Sequence, residues 1–567
     1  MSAIVLGEAE DVPPTIEALL AARLDRLGPG ERSVVESAAV AGREFSAAAV
    51  GHLVPGGAAG SVDRHLASLV RRELVRPLRA PLLGEEAFAF RHVLIRDVAY
   101  RATPKTRRGT LHRSFAERLS ERVPGQDELV GYHLEQAFRL QAELTPVDEP
   151  ARLLAAEAGD RLARAGVRAW KRGDVPAAVN LLDRATSLLP GGERQRELLC
   201  ELGLAFRAGG EFDRAGEVLR RALEASLGSS DRRVEHRARI ELVAHELTTG
   251  STIRAEELLR VAREAIPVFE AAADDRSLGR AWLLAGHAEG ALLCRNERWR
   301  EAAQHALHHY ERSGWNATTA ISAIAAALYH GPTPVPEAVE QCLALAAQPD
   351  SLAKASVFTV IAALRALEGR FEEARSLLET SEQTYVELGH RADILTSIGW
   401  ARSEVELASG NVQQAERVLA ELCQRLEEMH AAASLATQSA VLAEALSIQE
   451  RWDEALDWTR VSETNAAGDD LSAQCLSRGV RAKVLARRGE LEEARALAAG
   501  GVAIAEQTDS LSLQAKVLMD LSEVLWLGAR ASEAAGATEA ALALYERKGN
   551  VVGAERARTR LGKLAPA

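Results

Sequence analysis

Gly369-Arg370-Phe371-Glu372-Glu373-Ala374 places an apolar residue two positions after a small one, and an alanine five positions after it. The same frame returns at Gly173 with Ala178, Gly210 with Ala215, Gly410 with Ala415 and Gly489 with Ala494. Trp299 with Ala302 and Trp452 with Ala455 repeat it with an indole at the apolar place, and weaker copies end at Ala255, Ala338 and Ala534. Successive alanines stand 36 to 47 residues apart, most of them near 40. Ten copies at so even a pitch describe a repeat, and self-similarity at this period is the mark of a stacked array. In physical terms the small residue ends one helix and lets the chain turn sharply. The apolar residue fills the gap between paired helices, and the alanine sits where only a small side chain fits. Apolar residues then follow at helical spacing, as in Leu377, Leu378, Val418 and Leu419. A single pair cannot bury its own apolar face, so the pairs must stack into a curved solenoid with an extended inner surface.

This pattern resembles the tetratricopeptide repeat, with its glycine, aromatic and alanine signature, over about residues 150 to 560. The usual period of that family is 34; the longer one here implies longer helices. The resemblance implies a groove that binds a protein segment or a small effector.

Composition agrees with helices. The 567 residues are too many for one core, 47% are hydrophobic, and only 4% are aromatic. Alanine, leucine, arginine and glutamate dominate, and they lose little side-chain freedom in a helix. The net charge of -12 argues against a chain-wide nucleic-acid surface. The charge is uneven: residues 1–125 carry +3, and Arg64 to Arg113 hold 12 basic against 4 acidic residues. Five scattered cysteines, without a C-x-x-C, read as buried thiols in a reducing compartment. Met1 to Pro14 has no basic n-region and only a short apolar run, so it is not expected to be a signal peptide, and no apolar run reaches the roughly 18 residues of a membrane span. The cytoplasm is the expected location.

Residues 15–125 read differently. Ile16, Leu19, Leu20, Leu24 and Leu27 form one stripe, Gly28-Pro29-Gly30 interrupts it, and a second helix follows from Glu31 to about Ala41. Ser46 and Ser61 are expected N-caps of two more. Leu74–Leu78 and Ala87–Arg91 predict two short strands, with Phe88 and Phe90 on one face. Helices over His92–Ala102 and through Leu111, Phe115 and Leu119 complete the pattern of a winged helix. If such a domain met DNA, Val62–Glu73 would be the recognition helix, with Arg64, Arg71 and Arg72 on it and Arg76, Arg79, Arg107 and Arg108 on phosphates. The plainer reading is preferred: Leu66, Leu69 and Val70 bury one face, and the arginines are solvated.

The segment from Val12 to Asp25 resembles the stretch after the nucleotide-binding core of bacterial signal-transduction ATPases of the STAND type. Phe90-Arg91-His92-Val93-Leu94-Ile95-Arg96-Asp97-Val98-Ala99-Tyr100 resembles their winged-helix signature. Tyr545-Glu546-Arg547-Lys548-Gly549-Asn550-Val551-Val552 resembles the end of the repeat arm in nucleotide-cyclase-linked members. The resemblance implies that His92 contacts the phosphates of bound ADP, although Val93 stands where the family has an aspartate. No G-x-x-x-x-G-K-[ST] is present, there is no cyclase domain, and the glycines between Gly51 and Gly60 precede no lysine. Nor is there room before Ala567 for a helix-turn-helix. The chain looks like the rear half of such a regulator without its motor.

Other constellations favour structure over chemistry. His305, His308 and His309 share a predicted helix, with Glu301 one turn before and His330 as a distant third ligand; a polar helix face is preferred to a metal. Glu372-Glu373 and Glu492-Glu493 open second helices, where negative charge suits the helix dipole.

The expected architecture is all-α: about ten helix pairs of a tetratricopeptide-like α-solenoid behind a small winged-helix domain with a β-hairpin. The boundaries are a leader (1–14), the winged-helix-like domain (15–125), a helix and linker (126–150), the repeats (151–560) and a tail (561–567). The expected function is that of a non-enzymatic sensor or scaffold, without cofactor, resident metal or membrane contact. Its expected partners are a protein segment or small effector in the groove and a nucleotide-binding ATPase module. Two alternatives stand beside it: a split subunit of an ATPase-coupled regulator or nucleotide cyclase, and a DNA-binding regulator.

Overall fold

The computed structural model describes residues 14–55, 59–80, 84–123, 125–228, 231–250, 253–347 and 350–564. Apart from Pro14, the expected leader lies outside the described residues. So do most of the glycines between Gly51 and Gly60 that lie beyond Pro55, and the end of the tail. The chain divides into two compact units: residues up to Arg168 with Asn180–Gln195, and Ala169–Val179 with Arg196 onward.

The first unit begins with α1 (Pro14–Asp25) and α2 (Pro29–Ala41), the latter opened by Gly28 and by a proline whose missing N–H costs nothing there. Then come β1 (Glu44–Ser46), α3 (Ala47–Leu53), α4 (Ala59–Arg71), β2 (Val75–Pro77), β3 (Ala87–Phe90) and α5 (Val93–Ala102). The two expected strands are joined by a third: the antiparallel sheet runs β1-β3-β2, pairing Phe45 with Phe88 and Val75 with Phe90. Phe45 stacks on Phe88 at 6.2 Å and tilts against Phe90 at 5.4 Å, closing a core with Val34, Leu66, Leu69 and Val98. Ser46 caps α3 through Ala49 N, as expected. Ser61 is not at the N-cap position expected of it: α4 starts at Ala59 and holds Ser61 in its first turn. Leu19 leaves the expected stripe and stands exposed, whereas Leu24 and Leu27 are buried.

After α6 (Lys105–Arg122) and α7 (Asp127–Ala142), α8 (Glu149–Lys171) and α9 (Val175–Leu188) make the first repeat pair. In α6 and α7 a buried chain runs from the Tyr100 hydroxyl to His112 Nε2 and from His112 Nδ1 to His133 Nδ1, each 2.8 Å long. Burial pushes His112 down to about 3, so the pair stays neutral.

Nine pairs follow. They are α10 (Glu193–Ala208) with α11 (Phe212–Ser226), α12 (Arg232–Thr249) with α13 (Ala255–Ala271), α14 (Asp275–His287) with α15 (Asn296–Ser313), and α16 (Thr318–His330) with α17 (Val335–Ala346). Next are α18 (Ser351–Leu367) with α19 (Phe371–Leu388), α20 and α21 (Arg391–Asp393, Gly399–Ser409) with α22 (Val412–Glu428), and α23 (Ala432–Ile448) with α24 (Trp452–Asn465). The last are α25 (Leu471–Arg487) with α26 (Leu491–Ala505) and α27 (Leu511–Leu527) with α28 (Ala531–Lys548), ahead of a final α29 (Val551–Leu564). The fold is therefore an all-α, tetratricopeptide-like solenoid of ten helix pairs.

All ten signature alanines are buried, none more than 6% exposed, each near the start of a second helix. Gly173, Gly210, Gly369, Gly410 and Gly489 take positive φ, as a tight turn between paired helices demands. The apolar position is less uniform: Val175 and Phe212 are buried, Phe371, Val412 and Trp452 half-buried, and Leu491 exposed. All five cysteines are buried and unpaired.

Glu450 (φ 61°) and Ala529 (φ 58°) hold the same turn position without being glycine. A Cβ in this left-handed region costs roughly 1–2 kcal/mol, partly offset by the chain entropy of glycine. Glu450→Gly and Ala529→Gly are each expected to stabilise the protein by about 0.5–1 kcal/mol, read as a rise in urea midpoint. A fall in either variant would contradict this account of the turn.

Contacts at long sequence distance define the winding of the second unit. His390 Nε2 meets Gly173 O, His430 meets Asp213, Asp469 caps Ala255 N, Asp509 caps Asn296 N and Glu297 N, and Lys548 reaches Gly331 O. These partners lie 212 to 217 residues apart in every case. The turn inside one pair thus packs on the turn between pairs five to six repeats later. The unit is a superhelix whose successive coils touch, enclosing a bore.

Candidate functional site

The bore is a cavity of about 920 Å³, lined from Trp170 to Arg556 and chiefly by the first helix of each pair. Aromatic rings (Phe212, Trp299, Trp315, Tyr329, Trp400) alternate along it with hydroxyl side chains (Thr318, Ser322, Ser356, Thr396, Ser434, Thr437). Its size lies at the upper end of the small-ligand range, and its wall combines apolar surface with many polar and charged side chains.

Two local features mark it further. The helical hydrogen-bond pattern widens to a π-helical turn at Ala288–Leu292 and again at Ile394–Ile398. Both turns line the bore, through Gly290, Ala291 and Leu292 and through Thr396 and Ser397. Single π turns within helices concentrate at functional sites. Gly290 permits the first: a Cβ there would stand 2.2 Å from the Trp299 ring, so the indole lies directly on the widened turn.

Polar atoms without partners form the second feature. Arg207 Nη1, Trp299 Nε1, Gln438 Oε1 and Ser512 Oγ are buried without a hydrogen bond, and all four residues line the bore. A buried polar group left unpaired costs about 1–3 kcal/mol, so its retention calls for a reason. Two donors, an acceptor and a hydroxyl in one cavity have the inventory to hold a polar ligand.

Burial sets the electrostatics. It pushes His287 and His330 down to about 4, the former helped by Arg280 and Arg207, so both imidazoles are neutral near pH 7. It raises Glu404, which accepts from the Tyr329 hydroxyl at 3.1 Å, and lifts Asp470 to about 6. The ions are engaged: Arg280 with Glu241, Glu444 with Lys483 and Lys516, Asp393 with His390, and Arg556 with the carbonyls of Leu407 and Ala408.

The residues singled out in the sequence divide between structure and this site. Trp299, expected as a packing plug, is also part of the bore wall, with its N–H buried and unpartnered. His92 is exposed and caps α5, its Nδ1 accepting from Leu94 N at 3.2 Å. His309 pairs with Asp275 at 2.8 Å and His305 stacks on Trp282, while His330 stands apart in the bore wall. Of the arginines proposed for phosphate, Arg107 is held by Glu36 and Ser33 and Arg108 lies over the Tyr100 ring; Arg64, Arg71, Arg76 and Arg79 are half-exposed or exposed. Arg207, Gln438, Ser512 and both π turns carry no motif in the sequence. Their role arises from where the superhelix places them.

No family model and no curated protein sequence matches the chain. Among solved structures it is similar to helical-repeat proteins. One is a signal-transduction ATPase with numerous domains, with a tetratricopeptide repeat sensor, from Pyrococcus horikoshii; it is 13% identical, over 98% of this chain and 68% of that one, at a TM-score of 0.30. A second is the Cut9–Hcn1 assembly of the APC/C, 13% identical over 82% and 92% at 0.38. A third is a Rap protein complexed with Competence and Sporulation Factor, 12% identical over 66% and 98% at 0.33. Among the described residues no helix is long and apolar enough to cross a membrane.

Proposed function

We propose that the repeat unit is a sensor whose bore receives a small effector, and that the chain works as the ligand-reading part of an ATPase-coupled regulator. The observation that carries this reading is the set of four residues with an unpartnered buried polar atom, all of them in the wall of one cavity. Touching coils favour a small effector over a protein segment, because a polypeptide cannot be laid sideways into a bore whose wall is closed by hydrogen bonds. An effector that bridges coils stabilises one pitch of the superhelix over another, and that differential affinity is what a sensor requires. The order α2-β1-α3-α4-β2-β3 and the sheet order β1-β3-β2 support a winged-helix reading of the first unit, as the module relaying the state of the repeats to a nucleotide-binding partner. His92 is the residue proposed to meet the nucleotide.

Native mass spectrometry of the intact chain from its producing cells, before and after incubation with a small-molecule extract, tests the sensor. A discrete added mass is expected in the wild type, reduced in Thr437→Trp, in which an indole narrows the bore. A wild type that retains no ligand, or a ligand retained equally by Thr437→Trp, would sink the reading.

A further inference from the structure

The charged side chains that line the bore are matched with one exception. Arg280, Asp393, Glu404, Glu444, Asp470, Lys516 and Arg556 each have a partner on the protein. Arg207, near the end of α10, does not: its Nη1 is buried, and no hydrogen bond or ion pair engages its guanidinium among the described residues. Its charged neighbours are accounted for. Arg280 and Glu241 satisfy each other, and the Asp393 carboxylate is bound by His390 Nδ1 at 2.9 Å. His287 and His245, whose pKa values Arg207 and burial depress, carry no charge at neutral pH. Burial lowers Arg207 itself only to about 10, so it remains a cation. Arg207 is therefore the one charged side chain of the bore that, among the described residues, has no hydrogen-bonding or ion-pair partner on the protein.

We propose, on the footing that the bore is an effector site, that the effector carries a single carboxylate and that Arg207 is its anchor. A guanidinium fork matches a planar carboxylate bidentately. A dianionic phosphate fits worse, because the second cation it calls for, Arg280, is already bound to Glu241, and Asp393 stands close by. The body of the effector is uncharged: the other unpartnered groups in the bore wall are the Trp299 N–H, the Gln438 carbonyl and the Ser512 hydroxyl, and aromatic rings provide its apolar walls.

The test uses ¹³C-labelled acetate, which reproduces the carboxylate whatever the body of the effector, at constant ionic strength with the full chain. Saturable broadening of the acetate resonance is expected. Arg207→Gln should weaken it at least tenfold, Arg207→Lys should retain part of it, and acetamide at equal concentration should show none. Because the guanidinium has no partner on the protein, the thermal midpoint of ligand-free Arg207→Gln should equal or exceed that of the wild type. A lowered midpoint would assign Arg207 to the scaffold and overturn the proposal. So would acetate binding that Arg207→Gln leaves unchanged, the absence of saturable acetate binding, or inorganic phosphate binding tenfold tighter than acetate. Arg207→Gln that keeps the added mass seen by native mass spectrometry would remove the anion anchor and leave the sensor reading standing; a Thr437→Trp chain that keeps the mass undiminished would remove the sensor reading itself.

Discussion

Glu201→Ala is expected to be the most damaging single substitution in the repeat unit, lowering stability by about 3–5 kcal/mol. Glu201 in α10 is 2% exposed, accepts from Arg237 in α12 and forms an ion pair with Arg276 in α14, tying three successive pairs together. Burial alone would raise its carboxyl, but the two guanidinium groups hold it below the usual carboxylate range. Removing it strands the Arg237 charge, itself only 4% exposed, with no second carboxylate in hydrogen-bonding range among the described residues. Breaking a buried pair on one side costs far more than the pair contributes, because the remaining ion has lost its water as well as its partner. The same link recurs one repeat later, where Glu241 is held by Arg280, and near the end of the array, where Glu444 is held by Lys483. Hydrogen exchange across α10, α12 and α14 checks the expectation: amides there should open at much lower free energy in the variant. Glu201→Gln, which keeps an acceptor, should fall between the two. Exchange unchanged in Glu201→Ala would show that this acid holds nothing.

Lys548→Met is expected to lower stability by about 2–3 kcal/mol at neutral pH. Lys548 ends α28 fully buried, and its ammonium donates to Leu328 O at 3.0 Å, in the last turn of α16, and to Gly331 O at 2.7 Å and Thr333 O at 2.8 Å, just beyond that helix on the neighbouring coil. Three acceptors match the three N–H bonds of an ammonium, and hydrogen bonds from a charged donor contribute about 1.5–3 kcal/mol each. Against them stands desolvation, which lowers the group from its ordinary 10.5 to about 8, a penalty of about 3 kcal/mol. A methionine fills the space and leaves the three carbonyls without a donor. The sign of the pH effect follows from the depressed value. Below about pH 8 the folded and unfolded chains both hold the proton and the penalty is present in full. Between about 8 and 10.5 the folded chain releases its proton first, so the wild type gains stability relative to Lys548→Met as pH rises. Urea unfolding of both proteins at pH 7 and pH 9.5 measures the gap; a gap that narrows with rising pH would contradict the assignment.

Local chemistry made the repeat legible before the structure. The alanines from 178 to 534 and the glycine turns report on contacts within one pair, where sequence distance and spatial distance agree, and they landed where the spacing placed them. Short or shared elements were less visible. Glu44-Phe45-Ser46 is too brief to show the alternation of a strand, so β1 emerges only through its pairing with β3. Ser61 has the chemistry of a cap, yet α4 begins two residues before it. The bore was not legible at all. Arg207 and Asp393 lie on different coils, and no local pattern says that positions more than 180 residues apart will share a wall. The C-terminal Lys548-Gly549-Asn550 stood out by resemblance, but its work as a fastener depends on carbonyls 215 to 220 residues upstream.

Those fasteners change the kind of object the array is. An open solenoid is a one-dimensional chain of neighbours, in which each repeat leans on the one before and the one after and a break stays local. Here Gly173 with His390, Ala255 with Asp469, Asn296 with Asp509 and Gly331 with Lys548 add a second neighbour across the coils. The repeats form a sheet of contacts rolled into a tube, two-dimensional in its connectivity. A disturbance at one point on such a lattice spreads along the strand and across it, so two places far apart in the chain sense each other through one coil height instead of through five repeats in series.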